Sequence, residues 1–359
     1  MPLFSDLHPL GQRIWLDNLT RGHIRDGRLA QLVAQGVTGI TSNPTIFHKA
    51  VSETADYTAQ LEQLRKSEAD PERRYEALVS DDIRGACDLL KPVFINSGGD
   101  DGYVSWEVAP RFAHDENMTV AEAKRLHALI GRDNLLIKVP GTEAGRRAFE
   151  RLTADGIRVN VTLLFSLHHV VRTFEAYIRG AQQWLEKGGN ALQLKAVASL
   201  FLSRVDTLVD RRLDEIGTPQ ALALRGKTAV AVAKLAYQRY LDFFKGEEYF
   251  SHLRAHKVRP QYLLWASSGT KNPAYSDLLY VEPLIGSDTI NTLPDKTLAA
   301  LADHGEIGPT LHLGFPGAED DLVQLEALGL SPTAIGEELQ VEGVRLFTES
   351  YDKLIAAMQ

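Results

Sequence analysis

The sequence predicts an α/β protein, a (β/α)8 TIM barrel with additional helices. Short apolar runs rich in branched residues alternate with longer segments of helical periodicity, as in βα units. Eight such runs occur, and 359 residues suit one large barrel with insertions. Polar residues stand at or just after the ends of most runs, where a barrel has its active site.

The strands are predicted from these apolar runs. In chain order they cover 14–19, 39–43, 103–108, 135–140, 158–164, 192–199, 262–267 and 288–293. The connecting helices show one apolar stripe at 3.6-residue spacing, most clearly over 168–186, where Gly188 and Gly189 end the helix. The chain therefore alternates strand and helix in the order that a parallel barrel requires.

Two connections are longer than a minimal barrel needs. Segment 44–102 is expected to hold two or three helices, one of them starting near Asp70-Pro71, since proline is favoured in a first helical turn. The run 228–244 predicts an added helix, and after residue 300 the pattern is helical, with breaks at 314–317 and at Ser331-Pro332. We expect a single domain, 1–359, with insertions at about 44–102 and 219–257 and C-terminal helices at about 316–359; two domains divided near 210 are the alternative.

Composition excludes several classes of partner. The formal charge of −8, from 39 basic and 47 acidic residues, provides no basic field for nucleic acid or anionic lipid. No stretch of 18 apolar residues and no signal-peptide pattern is present, and the single cysteine, Cys87, rules out an internal disulfide. We expect a cytoplasmic protein. No HxxxH, Cys/His cluster or dinucleotide glycine fingerprint occurs, so no metal and no organic cofactor is expected.

Lys138 interrupts the apolar run 135–140, and this lysine suggests the chemistry. Lysine is seldom buried unless it is paired or used in a reaction, because removing its ammonium from water is costly. Burial favours the neutral amine, which attacks ketones and aldehydes. We therefore expect a Schiff-base lysine; the alternative is a lysine at a strand end that reaches water or forms a salt bridge.

Other polar residues end the remaining strands: Asp17, Asn43, Glu107, Asn160, Thr162, Ser199, Ser267 and Ser268. A Schiff base needs an acid/base to form and dehydrate the carbinolamine, and a base for a substrate hydroxyl as a C–C bond breaks. Asp17 and Glu107 supply two carboxylates, and Thr162 could hold a water. Neutral groups that suit sugar hydroxyls are Asn43, Asn160 and Ser199.

Two cations near the same edge could hold a phosphate. Arg204 follows the sixth predicted strand, and Lys271 lies in the loop after the seventh. Each residue also has a structural alternative. In these alternatives Asp17 would cap a turn, Asn43 would start a helix, and Ser199 would be a small core residue. Arg204 would pair with Asp206 or Asp210 at the surface.

Six separated motifs resemble transaldolase, in particular the longer bacterial type. They are GVTGITSNPTIF at 36–47, SWEV at 105–108, LLIKVPGTEAG at 135–145, VNVTLLFS at 159–166, ASLFLSR at 198–204 and SSGTKNPAYSD at 267–277. The resemblance runs over about 16–294, and its motifs agree in order and spacing. It implies a transferase of the non-oxidative pentose phosphate pathway, working without cofactor on sugar phosphates, as a monomer or small homo-oligomer.

The resemblance also implies roles. A dihydroxyacetone unit would pass from sedoheptulose 7-phosphate or fructose 6-phosphate to glyceraldehyde 3-phosphate or erythrose 4-phosphate through an imine on Lys138. Asp17 would take the proton of the C4 hydroxyl, and Glu107 with Thr162 would position a water. The remaining set would bind substrate: Asn43, Asn160, Ser199, Arg204, Ser268 and Lys271. Many transaldolases have a second phosphate arginine where this chain has Lys271, and a lysine lacks bidentate geometry.

Two rival functions are distinguishable from the residues. The related fructose-6-phosphate aldolases, which release free dihydroxyacetone, resemble transaldolase except for a glutamine at the position of Glu107 and a tyrosine at that of Phe201. Both residues here favour transfer. A catalytically silent sugar-phosphate-binding barrel would have lost the lysine or both carboxylates, and all three are present.

Overall fold

The predicted barrel is confirmed. A computed structural model describes residues 4–359, and over this range eight parallel strands close into a barrel in which each strand pairs with its neighbour in the sequence. The strands are Gln12–Leu16 (β1), Val37–Thr41 (β2), Val104–Glu107 (β3), Leu135–Pro140 (β4), Val159–Leu164 (β5), Ala196–Phe201 (β6), Tyr262–Ala266 (β7) and Thr289–Leu293 (β8).

Helices connect and extend these strands. In the described chain the α-helices are Arg21–Arg25 (α1), Arg28–Ala34 (α2), Pro44–Glu53 (α3), Thr58–Ser67 (α4), Pro71–Asn96 (α5), Glu116–Ile130 (α6), Glu143–Thr153 (α7), Leu167–Glu186 (α8), Ser203–Ile216 (α9), Pro219–Leu222 (α10), Thr228–Tyr240 (α11), Ser251–Ala255 (α12), Asp295–His304 (α13), Phe315–Ala327 (α14) and Pro332–Ala357 (α15). Short 3₁₀ turns lie at Phe4–Leu10, Ala55–Tyr57, Pro110–Phe112, Ala191–Gln193 and Glu282–Leu284, and a π turn, Leu241–Lys245, extends α11.

The strand boundaries differ most from the prediction at β1, β2 and β6. β1 begins at Gln12, two residues before the predicted start, because the buried Gln12 amide donates to Leu284 O at 2.7 Å, a partner that sequence cannot show. β6 begins at Ala196 instead of residue 192, since the Asn190 side chain accepts from Leu192 N and starts a 3₁₀ turn. β1 also ends at Leu16 instead of residue 19, β2 covers 37–41 instead of 39–43, and β6 ends at Phe201 instead of residue 199. Asp17 and Ser199 still lie at or near the carboxyl ends.

The long insertions are helical. Segment 44–102 holds α3, α4 and α5, and α5 starts at Pro71 with Asp70 as its N-cap, as the sequence indicates. Within 228–244, α11 passes directly into its π turn. At 314–317, a predicted break, α14 in fact begins at Phe315, because Gly314 adopts φ +75° and already turns the chain into the helix. The single-domain organisation stays a prediction.

The last helix, α15, crosses the carboxyl end of the barrel. The Gln340 amide, which is buried, donates to Gly141 O at 3.1 Å, after β4, and to Leu163 O at 3.0 Å in β5. Close approach requires a glycine at 336, where a Cβ would lie 2.5 Å from that of Ser166. This helix therefore rests directly on the strand ends that carry the predicted catalytic groups. Among residues 4–359, no helix is both long and apolar enough to cross a membrane.

Candidate active site

A cavity of about 270 Å³ opens at the carboxyl ends of the strands. Predicted site residues meet there: Asp17, Asn43, Lys138, Thr162, Ser199, Arg204 and Ser267 line it. Its other lining residues come from β2, β6, β7 and β8 and from two helices: Thr41, Thr45, Ile46, Lys49, Phe201, Leu264, Ala266, Thr292 and Phe347. Residues scattered over 330 positions of sequence thus share one small polar space, as expected for a barrel rim.

Lys138 lies in the middle of β4, and its nearly buried side chain lines this cavity. The residue is 5 % exposed, and its Nζ donates to Ser42 O at 2.9 Å. Glu107 pairs with Lys138 in register on β3, and its Oε2 lies 3.4 Å from Nζ. The amine is therefore held by one carbonyl and one carboxylate below the cavity floor.

Glu107 itself lies behind Lys138 and does not line the cavity. Burial raises the pKa of its carboxyl, an effect that the charge of Lys138 opposes and that of Asp17 reinforces. Neither carboxylate oxygen accepts a geometrically sound hydrogen bond from the described residues. A buried, unsatisfied acid of this kind tends to hold a proton and to need a polar partner.

Asp17 follows the end of β1 on the cavity wall. Its Oδ1 accepts from Thr41 Oγ1 at 2.8 Å, and Thr41 Oγ1 lies 2.6 Å from Thr292 Oγ1. Burial raises the pKa of Asp17, while the Thr41 bond and the charges of Lys138 and Lys271 oppose the rise. The carboxylate is thus fixed by a hydroxyl pair, with a proton affinity above that of an ordinary aspartate.

The strand β5 is irregular at the point where it supplies Thr162. The β5–β6 register shifts between Val161 and Leu164, and Leu163 adopts φ +59°, which is unusual for a leucine. Thr162 Oγ1 is buried and has no hydrogen-bond partner within residues 4–359. Gln340 of α15 binds the Leu163 carbonyl, so the strained turn that aims Thr162 is held from outside the barrel.

Ser199 and Asn160 form a chain of hydrogen bonds. Ser199 Oγ donates to Asn160 Oδ1 at 2.6 Å, and Asn160 Nδ2 donates to Ser105 Oγ at 3.1 Å. Ser199 lines the cavity, whereas Asn160 is fully buried behind it. The structure therefore places Asn160 as a support for Ser199 instead of at the cavity surface.

Asn43 has a structural function as well as a place on the cavity. Its Oδ1 accepts from Ile46 N at 3.0 Å and caps α3, so the side-chain nitrogen is the atom left for a ligand. One turn further along α3, Lys49 also lines the cavity and is exposed, with Glu53 at 3.9 Å. Lys49 was not among the residues predicted from the sequence.

Arg204, in the first turn of α9, stands at the cavity wall beside two aromatic rings. Its Cζ lies 5.8 Å from the Phe201 centroid and 5.9 Å from that of Phe347. Burial lowers its pKa, an effect that Glu342 opposes. Phe347, on α15, also lies 6.0 Å from Lys138 Nζ, and no spacing signal in the sequence assigned this phenylalanine to the site.

Two predicted binding residues besides Asn160 lie outside the cavity. Ser268 is fully buried, and its Oγ donates to Asn291 Oδ1 at 2.7 Å. Lys271 lines a separate cavity beside α9, and its charge still reaches Asp17. Within the described part of the chain, no group of three or more His, Cys, Asp or Glu side chains is arranged to hold a metal ion.

Comparison with known proteins decides the family. A family model described as transaldolase/fructose-6-phosphate aldolase matches residues 14–358. The chain belongs to the transaldolase/fructose-6-phosphate aldolase family. The chain is similar to the transaldolase of Thiobacillus denitrificans, 56 % identical over 357 residues and 99 % of each chain. It is 44 % identical to that of Neisseria gonorrhoeae over the full length of both, and 43 % identical to that of Mycobacterium ulcerans over 96 % of the latter.

Membership of this family confirms the resemblance seen in the motifs. The chain matches relatives named transaldolase over nearly their entire length, so it is an enzyme that transfers aldehyde or ketone residues. The family name covers both transaldolases and fructose-6-phosphate aldolases, so the chemistry at Lys138 and the choice of substrate are argued below from this chain's own cavity.

Proposed function

We propose that this enzyme transfers a dihydroxyacetone unit through a Schiff base on Lys138. The donors would be sedoheptulose 7-phosphate or fructose 6-phosphate, and the acceptors glyceraldehyde 3-phosphate or erythrose 4-phosphate. One observation carries the proposal: a lysine that is 5 % exposed still lines the cavity, with the carboxylates of Glu107 and Asp17 on its two sides. Structural lysines rarely combine such burial with access to a ligand.

Imine formation is the first step. The neutral Lys138 amine adds to the C2 carbonyl of the donor, and the carbinolamine then loses water to give a protonated imine. Glu107 and Thr162 have unsatisfied oxygens beside this position, which suits them to hold that water. Because burial raises the pKa of Glu107, its carboxyl can give a proton to the leaving hydroxyl and take it back later.

Asp17 acts as the base in the second step, cleavage of the C3–C4 bond. Its carboxylate takes the proton of the C4 hydroxyl, the C3–C4 bond breaks, and the electron pair passes into the protonated imine to form an enamine. The aldehyde product leaves, an acceptor aldehyde binds, and the enamine carbon attacks it while Asp17 returns the proton. The raised pKa of Asp17 makes it a stronger base than an ordinary aspartate.

Binding groups surround this path. The side-chain nitrogen of Asn43 and the hydroxyl of Ser199 face the cavity and suit the hydroxyls of the three-carbon unit, with Asn160 orienting Ser199. Arg204 suits a phosphate. Ser268 and Lys271 would act only through their neighbours, because neither side chain lines this cavity. A cytoplasmic location and a monomer or small homo-oligomer complete the proposal, and the buried, unpaired Cys87 agrees with a reducing compartment.

Borohydride trapping tests the mechanism. Incubation with fructose 6-phosphate and borohydride, followed by peptide mapping, is expected to place a reduced three-carbon adduct on Lys138, because glyceraldehyde 3-phosphate leaves before reduction. Lys138→Ala is expected to fold and to lose essentially all transfer and trapping. Lys195→Ala, at another buried lysine outside the cavity, serves as the matched control and should still give the adduct. An adduct elsewhere, or normal turnover of Lys138→Ala, would remove the proposed nucleophile.

The same reaction separates transfer from simple aldol cleavage. With fructose 6-phosphate alone, dihydroxyacetone should be released slowly, whereas added erythrose 4-phosphate should give rapid formation of sedoheptulose 7-phosphate. Glu107 and Phe201, both at this site, are the residues that favour transfer by resemblance. Rapid dihydroxyacetone release without an acceptor would assign the chain to the aldolase branch of its family.

A further inference from the structure

We propose that Phe347, on the C-terminal helix α15, is a positioning residue for phosphate recognition: with Phe201 it forms a two-ring corner that packs against one side of the Arg204 guanidinium, leaving the N–H donors free for a phosphate. This inference rests on the proposed function in one respect, the phosphate of the substrate. It assigns a specific task to a helix that the sequence indicated only as a C-terminal addition to the barrel.

The Arg204 guanidinium packs beside two rings that meet on one side of it. Its Cζ is nearly equidistant from the Phe201 and Phe347 centroids, at 5.8 and 5.9 Å, and the ring planes meet at 62° with centroids 6.5 Å apart. Both distances are within the range in which a ring attracts a guanidinium. The two rings come from β6 and α15, so Arg204 is held from two unrelated elements.

The donors of Arg204 are not used elsewhere. Within residues 4–359 no carboxylate lies within 4.0 Å of its guanidinium, and its buried Nη1 has no hydrogen-bond partner. The alternative considered from the sequence, a surface ion pair with Asp206 or Asp210, does not form: Asp206 accepts from Tyr280 at 2.9 Å, and Asp210 from Tyr275 at 2.7 Å. A half-buried guanidinium with free donors is suited to bidentate contact with a phosphate.

Phe347 also relates the phosphate to the nucleophile. The same ring lies 6.0 Å from Lys138 Nζ, at the outer limit of a cation–π interaction, so it stands between the two ends of the proposed substrate without fixing the amine. Without this ring, Arg204 would lose part of the corner against which it packs, and the charge of Glu342, an exposed residue on the same helix, would draw it away from the cavity. Loss of the ring should therefore weaken phosphate binding while leaving the imine chemistry on Lys138 intact.

The test is a double-mutant cycle on binding of inorganic phosphate, measured by titration calorimetry at constant ionic strength. Phe347→Leu keeps an apolar side chain but removes the ring, and it should weaken phosphate binding by about tenfold, the size expected for a desolvated cation–π contact. Arg204→Gln should weaken binding more than Phe347→Leu does while leaving it measurable, and adding Phe347→Leu to it should change nothing further. Tyr351→Leu, one turn along α15 and outside the cavity, is the matched control and should bind as the wild type does.

Steady-state kinetics provide a second readout. With erythrose 4-phosphate as acceptor, Phe347→Leu should raise KM for fructose 6-phosphate by about tenfold and leave kcat within about twofold. With fructose, which lacks the phosphate, kcat/KM should be unchanged. Equal losses for the two donors, an unchanged phosphate affinity in Phe347→Leu, or no phosphate binding by the wild-type chain would each overturn the inference. Phosphate binding needs no turnover, so these outcomes are separate from a failure of borohydride trapping.

Discussion

Asp17 and Glu107 show how two carboxylates on one cavity acquire different tasks. Burial raises the pKa of both groups, but their partners differ. Asp17 is fixed by the hydroxyl of Thr41 at the cavity wall, whereas Glu107 lies behind Lys138 without a sound hydrogen bond in the described chain. We infer that Asp17 acts on the substrate hydroxyl and Glu107 on the water of imine formation, because only Asp17 lines the cavity.

Asp17→Asn should separate imine formation from cleavage. The amide keeps the acceptor for Thr41 but cannot take a proton, so kcat should fall by about 10²- to 10⁴-fold, the usual contribution of a general base. Borohydride should then trap the whole six-carbon sugar phosphate on Lys138 in place of the three-carbon unit, and mass spectrometry distinguishes the two adducts. Asp295→Asn, at the neighbouring carboxylate outside the cavity, is the control and should retain the three-carbon adduct.

The same role predicts a pH dependence. Cleavage needs ionised Asp17, and the pKa of Asp17 is raised. As the pH is lowered, kcat/KM should therefore begin to fall at a higher pH than it would with an aspartate of ordinary pKa. The acid limb should be lost in Asp17→Asn, whose residual rate no longer depends on this proton. A three-carbon adduct in Asp17→Asn, or an acid limb that persists unchanged in that variant, would assign the C4 proton to another group.

At the residue scale, sequence could predict the polar groups but not all of their contacts. Lys138, Asp17 and Thr162 were predictable because each polar residue stands beside an apolar run that must be a strand. Ser268 has the same pattern, yet its hydroxyl turns inward to Asn291, a partner 23 positions away. Which way a small polar side chain turns depends on such distant partners, and periodicity carries no information about them.

At the scale of elements, α15 connects the outside of the barrel with the reacting groups. Gln340 binds the carbonyls of Gly141 and Leu163, which follow the proposed catalytic residues Lys138 in β4 and Thr162 in β5. Leu163 has a strained backbone, φ +59°, and such strain persists only where surrounding contacts determine it. The helix therefore stabilises the β5 irregularity that directs Thr162 toward the cavity.

Gln340→Leu should lower catalysis more than its effect on stability would suggest. Removing both donors leaves two buried carbonyls without these bonds, at a cost of about 1 to 3 kcal/mol in the free energy of unfolding. Displacement of Thr162 should in addition reduce kcat by about 10- to 100-fold. Chemical denaturation and steady-state kinetics measure the two effects separately.

Gln12→Leu is the matched control for this helix contact. Gln12 is an equally buried glutamine whose amide donates to Leu284 O and Thr289 Oγ1, but at the opposite end of the barrel. We expect Gln12→Leu to lower the free energy of unfolding by a similar amount and to keep kcat within about twofold of the wild-type value. Equal loss of kcat in both variants would show that Gln340 acts only through general stability.

The sequence predicts elements better than it predicts their irregularities. Strand β4 was predicted over its full extent, and α5 with its cap, because apolar runs and caps are local signals. The starts of β1 and β6 and the first turn of α14 were wrong by a few residues, since each depends on a local hydrogen bond or a positive φ. The contact of α15 with the site joins residues about 200 positions apart and has no local signal.

At the scale of the whole molecule, the two ends of the barrel divide stability from catalysis. The amino end is closed by Asp100, just before β3, which contacts three charged side chains from other elements. Arg13 of β1 lies at 2.5 Å, Lys195 before β6 at 2.8 Å and Arg259 before β7 at 3.6 Å. The Tyr262 hydroxyl of β7 also donates to Asp100 at 3.2 Å, and Lys195 Nζ lies 3.8 Å from the centroid of the Tyr262 ring. One carboxylate thus joins four strands.

The ionisation of this network follows from burial and charge. Burial alone would raise the pKa of Asp100, but Lys195 and Arg13 lower it to about 2. Burial lowers the pKa of Lys195 to about 8, against the effect of Asp100. A depressed carboxyl pKa stabilises the folded state above the pKa of the unfolded chain, near 4, and this contribution is lost as the pH falls toward 2.

Asp100→Asn should therefore destabilise the protein without changing its chemistry. The buried Lys195 loses its anion and the partly buried Arg13 keeps only Asp101, which should cost about 2 to 4 kcal/mol of unfolding free energy at pH 7, whereas kcat at a permissive temperature should stay within about twofold because the cavity lies at the other end. Asp155→Asn, at a carboxylate that pairs with Lys124 and Lys187 on the surface, is the control and should cost less than about 1 kcal/mol.

Urea denaturation between pH 2 and 8 measures both variants. The difference between wild type and Asp100→Asn should be fully developed near pH 5 and should shrink below pH 4; a difference that does not depend on pH would contradict the ionised network, and a parallel loss of kcat would contradict the separation of the two ends.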